Sequence, residues 1–209
     1  MKKSLSILLA LALFSCSSTR FVDSWRNDAL VPDFRPENML VLAITDNLTA
    51  RQIFEEELSS ALRDRSVQAQ EAYGALETGF AQGRLDEAEL DQMAVDLSDR
   101  GYDAVMITSV KGVEQHHQHV SGTGYTYDYY GRFGRYYYRY QDIYYVPQAI
   151  REYQVFHVET VVYELGGDAQ NKLVWVGSFD ITDPISIRDT VDDYVKSLMN
   201  QLDNEGIIR

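Results

Sequence analysis

The sequence predicts a single domain of α/β class with some α+β character: a mixed sheet of about five strands, in the order β-α-β-α-β-β-β-α, with helices packed on it. Three observations predict it. Two nearly continuous apolar runs, Met39–Ile44 and Ala104–Ile107, read as strands buried on both faces. Helical-period segments alternate with strands between them, which implies right-handed crossovers and parallel pairing. After residue 150 the apolar period drops to two, as in an antiparallel hairpin. A chain of 209 residues is long enough for one good core.

The elements follow in order. Residues 17–38 carry few regular signals and read as a tether, with Trp25 and Phe34 expected to dock on the domain. After the first strand, Thr49 with Gln52 reads as a capping box opening a helix. Its apolar stripe is Ile53, Phe54, Leu58, Ala61 and Leu62, with Glu55 and Glu56 placed outside it. Val67–Ala72 reads as a second, more exposed strand. Asp86 opens another helix, whose inner face is Leu90, Met93, Ala94 and Leu97, and Gly101 is its left-handed cap. The strand from Ala104 runs on toward Val113. Tyr153–Leu165 alternates, with Phe156, Val158 and Val162 on one face. A turn at Gly166-Gly167-Asp168 leads to its partner, Leu173–Val176. Ser186 and Asp189 then cap a last helix whose inner residues are Ile187, Val191, Val195, Leu198 and Leu202. The domain is thus expected over 39–209, with an insertion at about 121–148.

The beginning of the chain is of another kind. Met1-Lys2-Lys3 is a basic start, and Leu5–Phe14 is an apolar run too short to span a membrane. It ends at the only cysteine, Cys16, so a disulfide framework is excluded. Leu13-Phe14-Ser15-Cys16 resembles a bacterial lipobox, with Phe14 where that pattern carries a smaller residue. The resemblance implies cleavage after residue 15, acylation of Cys16 and a membrane anchor of several acyl chains. Ser17 follows, where an aspartate commonly retains such proteins at the inner membrane; outer-membrane attachment facing the periplasm is the expectation. Removing residues 1–15 takes away two lysines and moves the net charge from −13 to −15. So acidic a body argues against nucleic-acid binding, which depends on neutralising phosphates.

The lipobox, the strand Met39–Ile44, the helix beginning Thr49-Ala50-Arg51-Gln52-Ile53-Phe54-Glu55, Asp103-Ala104-Val105 and Lys172-Leu173-Val174-Trp175 come in a recognisable order. Together they resemble small bacterial envelope lipoproteins, and the element order is similar to the amino-terminal α/β domain of TolB. The resemblance implies fold and envelope location and supplies no catalytic residues.

Ten of the fifteen tyrosines fall within residues 124–147, with Arg132, Arg135 and Arg139 among them. Tyrosine offers a large rigid surface with a polar tip, and arginine stacks on rings and pairs with carboxylates. The segment is either a long hairpin packed on itself or a surface for protein, glycan or the membrane interface; Tyr129, Tyr130, Arg135, Tyr137 and Tyr138 are the candidate partner-binding residues. His116, His117 and His119 form a second candidate. His117 and His119 fall on one side of an extended strand, where they could hold a soft divalent ion, and His157 on the next strand could approach. A zinc site would want a third fixed ligand. The acidic groups Glu55-Glu56-Glu57 and Asp86–Asp91 read as solvated helix faces. No Walker loop, GxSxG elbow, Rossmann glycine triplet or HExxH is present. The reading that emerges is a non-enzymatic, lipid-anchored envelope protein without a cofactor, contacting an envelope protein partner through its Tyr/Arg-rich segment. Two alternatives stay open: a metal-dependent envelope hydrolase using the histidines, and a structural subunit of an envelope assembly.

Overall fold

The two continuous apolar runs lie side by side in the interior of a six-stranded mixed sheet. A computed structural model describes residues 18–76, 87–115, 154–166, 172–184 and 186–208. Its strands are β1 (Thr19–Arg26), β2 (Asn38–Ile44), β3 (Gln68–Glu71), β4 (Ala104–Gln115), β5 (Gln154–Glu164) and β6 (Lys172–Thr182). Its helices are α1 (Leu48–Arg63), the one-turn α2 (Ala72–Ala75), α3 (Glu87–Asp99) and α4 (Ile187–Asn204). Across the sheet the order is β1-β6-β5-β4-β2-β3. β2 pairs in parallel with β3 and β4, and the three pairings from β4 to β1 are antiparallel. The expected mixed α/β sheet is therefore present, with one strand more than the five foreseen.

Alternation explains why β2 and the start of β4 are apolar throughout. Met39, Val41, Ala104 and Met106 face α1 and α4, whose Phe54, Leu58, Leu62, Val191, Leu198 and Leu202 complete one core. Leu40, Leu42, Val105 and Ile107 face Leu90, Ala94 and Leu97 of α3 in a second core. Helices on both faces leave no side of these strands to water.

The additional strand is β1. Residues 17–38 do not form the expected tether, because Thr19–Arg26 pairs along its length with β6, from Thr19 opposite Ile181 to Arg26 opposite Trp175. The stretch Thr-Arg-Phe-Val-Asp-Ser-Trp-Arg has no apolar run because it is an edge strand, paired on one side only and bulged between Phe21 and Asp23. Its anchor is Phe21, edge-on to Phe179 with ring centroids 5.5 Å apart. Phe34 is buried in the first core and Trp25 packs on the second, as expected.

Two helix ends differ from and match the sequence reading in turn. The N-cap of α1 is Asn47, not Thr49: its side chain accepts from Ala50 N at 3.0 Å, and asparagine ranks with the strongest capping residues. Ser186 caps α4 as foreseen, its Oγ accepting from Asp189 N at 3.2 Å. Gly101 ends α3 with a φ of +89°, and Tyr102 N donates to Leu97 O behind it. The cap foreseen at Asp86 and the turn at Gly166–Asp168 lie wholly or partly outside the described residues.

Candidate functional site

The chemistry concentrates at one end of the sheet. β2, β3 and β4 finish there, β5 and β1 begin there, and α1, α3 and α4 start from it. The last row of backbone contacts runs from Ser18 O, accepting from Thr182 N at 2.9 Å, through Asp183 N to Gln154 O at 2.8 Å, to the Gln154–Gln115 pair. Of the residues singled out from the sequence, Cys16, His116, His117, His119, Tyr129, Tyr130, Arg135, Tyr137 and Tyr138 lie outside the described residues. The points from which they depart are fixed: Ser18, Gln115 and Gln154.

Below that row a line of charged side chains crosses four strands. Arg20 Nη2 of β1 lies 2.6 Å from Asp180 Oδ2 of β6, and Asp180 Oδ1 lies 2.7 Å from His157 Nδ1 of β5. The other ring nitrogen of His157 is 3.7 Å from Glu114 Oε1 of β4. A carboxylate on Nδ1 orients an imidazole, as it does in metal sites and in acid–base dyads. His157, however, has only carboxylates as partners among the described residues. Nor do these contain a group of three His, Cys, Asp or Glu able to hold a metal. The geometry makes the line a clip across four strands.

A second, buried pair lies deeper. β4 is bulged between Val110 and Gly112, and the extra residue, Lys111, reaches Glu159 with Nζ 3.0 and 3.1 Å from its two carboxylate oxygens. Both side chains are almost fully buried. On the opposite face Thr108, Thr160 and Tyr194 are hydrogen-bonded in series, at 2.5 and 2.7 Å. Burial pushes the Tyr194 phenol well above its usual range, the threonine hydroxyls opposing that only in part. The phenol therefore stays protonated.

The third polar centre corrects the sequence reading. Glu55 is not on a solvated face: it is fully buried, while Glu56 is exposed. Its Oε1 accepts from Arg51 Nε at 2.8 Å and from Ala43 N at 3.0 Å, and its Oε2 accepts from Tyr73 N at 2.8 Å. β3 stops at Glu71 while β2 runs on to Ile44, so Ala43 N has no strand neighbour on that side. The carboxylate takes the place of the missing strand. Desolvation raises the Glu55 pKa above the ordinary carboxylate value, with Arg51 and the two backbone donors pulling the other way. A signal was present: 51, 55, 58 and 62 are at helical spacing, so Arg51 and Glu55 share a stripe with Leu58 and Leu62.

No described helix is long and apolar enough to cross a membrane. No family model matches the chain, and no curated protein matches it. Two solved structures are similar in fold. The PelC dodecamer from Paraburkholderia phytofirmans aligns over 91% of this chain and 97% of its own at 10% identity, with a TM-score of 0.43. Lipoprotein GNA1162 from Neisseria meningitidis aligns over 81% of this chain and 99% of its own at 16% identity, with a TM-score of 0.42.

Proposed function

We propose that this is a lipid-anchored bacterial envelope protein without enzymatic activity, a binding or assembly module whose contact surface is the Tyr/Arg-rich segment. Cys16 carries the anchor, and Tyr129, Tyr130, Arg135, Tyr137 and Tyr138 make the contact. The outer membrane, with the domain in the periplasm, is the location this reading assigns. The kinship with small envelope lipoproteins and with TolB belongs to the same reading and rests on the sequence motifs and element order.

One observation carries it. Ser18, Gln115 and Gln154 stand in one row, with Ser18 and Gln115 three strands apart, roughly 14 Å at ~4.8 Å per strand. An anchor at Cys16 therefore holds the roots of the Tyr/Arg-rich segment close to the membrane, where confinement raises their effective concentration toward partners in the same membrane.

The test is cross-linked co-purification from native membranes, comparing the intact protein with one whose residues 124–146 are replaced by a short Gly/Ser linker. A partner captured by the intact form and lost with the linker, in a variant still folded and anchored, supports the reading. An unchanged set of captured proteins overturns it. The metal-dependent alternative draws on the Asp180-oriented His157, which lies opposite Gly112, four residues before His116. Stoichiometric zinc that is lost on His117→Ala decides for that alternative.

A further inference from the structure

Among the described residues, Val22, Leu48, Tyr73 and Ile187 are the exposed large hydrophobics. Two of them are the first residues of helices: Leu48 of α1, 62% exposed, and Ile187 of α4, 40% exposed. Both helices start from the end of the sheet where the chain emerges from its amino-terminal segment. Each residue directly follows its N-cap, Asn47 or Ser186. Here both point to water.

Their height above the fold can be read from three contacts. The Phe54 and Tyr194 rings have centroids 5.8 Å apart, which brings α1 and α4 to a common level six residues after Leu48 and seven after Ile187. At ~1.5 Å per residue the two helix starts stand roughly 10 Å beyond that level. Asp193, next to Tyr194, accepts from Ser18 N at 3.0 Å and from Ser18 Oγ at 3.2 Å, which holds Ser18 at the same level. Cys16 is two residues from Ser18 and reaches at most about 7 Å from it.

We propose that Leu48 and Ile187 form a membrane-contact pair, seated in the headgroup region of the bilayer that holds the acylated Cys16. This rests on the lipid-anchor reading and adds an orientation to it. A bilayer surface at Cys16 cannot stand further from the fold than the starts of α1 and α4, so those starts meet the lipid. The contact is apolar in character. Exposed Asp46, Asp183 and Asp189 surround the pair with one exposed arginine, Arg188, so attraction to anionic lipid contributes nothing and a net-neutral bilayer suffices. Arg188 has a stem long enough to keep its guanidinium at phosphate depth while Ile187 enters.

The single cysteine makes the test clean, because acylation leaves the mature chain without a free thiol. Leu48→Cys, Ile187→Cys and, at the far end of the sheet, the exposed Lys172→Cys each carry one bimane label. The anchored proteins are reconstituted in phosphatidylcholine vesicles bearing a headgroup nitroxide. Labels at 48 and 187 are expected to be quenched severalfold more than the label at 172, at low and at high salt alike. Equal quenching at all three positions, in protein whose intact mass carries the acyl chains, overturns the contact and leaves the anchor standing. An intact mass without acyl chains, with a thiol at position 16 open to label, removes the anchor reading and the contact with it. Melting temperatures equal to that of the parent show that the labelled variants are folded, and the two contact positions are independent of each other.

Discussion

Three donors converge on the carboxylate of Glu55: the Arg51 guanidinium, the Ala43 amide that the short β3 leaves without a strand partner, and the Tyr73 amide in the first turn of α2. Removing it would strand Ala43 N, Tyr73 N and the buried Arg51 together. Glu55→Ala is therefore expected to cost about 3 kcal/mol, read from the urea midpoint, the range in which one partner of a buried ion pair is lost. Its pH dependence has a definite sign. The folded carboxyl is shifted upward, so the native state holds the proton more tightly than the unfolded chain does. The Glu55 contribution is then fully present below the ordinary value of 4.5 and is lost as pH rises through the raised native value. Stability of the wild type relative to Glu55→Gln should accordingly fall as pH rises from 4.5 toward neutrality. A difference independent of pH would show that Glu55 titrates as it does in water.

At the scale of elements, β6 carries the tightest constraint. Trp175 is fully buried, donates from Nε1 to Glu205 at 2.9 Å, and lies across Gly177, where an added Cβ would collide with the indole ring. Gly177→Ala should lower stability by about 2 kcal/mol, seen as a lowered melting temperature. Asn47→Ala, which removes the cap of α1, should cost about 1 kcal/mol. What was legible here follows from burial on two faces. Met39–Ile44 and Ala104–Ile107 announced themselves because every residue in them is packed. β1 did not, because only one edge of it is paired and its sequence mixes Arg20, Asp23 and Arg26 with Phe21 and Trp25. The polar contacts were illegible for a related reason. Lys111 meets Glu159, Arg20 meets Asp180 and Ser18 meets Asp193 across separations of 48, 160 and 175 residues, which no local period records. Arg51 and Glu55, four apart on one helix, were within reach of sequence reading.

For the whole molecule, the placement of β1 moves the start of the folded unit from Met39 to Thr19. A chain beginning at Ser17 should be monodisperse in size-exclusion chromatography. One beginning at Met39 would leave β6 as a long bare edge, with Phe179 losing its contact with Phe21, and should aggregate. Equal behaviour of the two would show that β1 is dispensable. The pairing of β1 with β6 also orders events in time. The ribosome makes Thr19–Arg26 first among the strands, yet its partner, Lys172–Thr182, is made last. Contacts between such distant segments close late in folding. Until the closing hairpin has emerged, the amino-terminal stretch has no strand partner and stays within reach of any enzyme that cuts or modifies it. The strand that is synthesised first is the one that shuts the sheet.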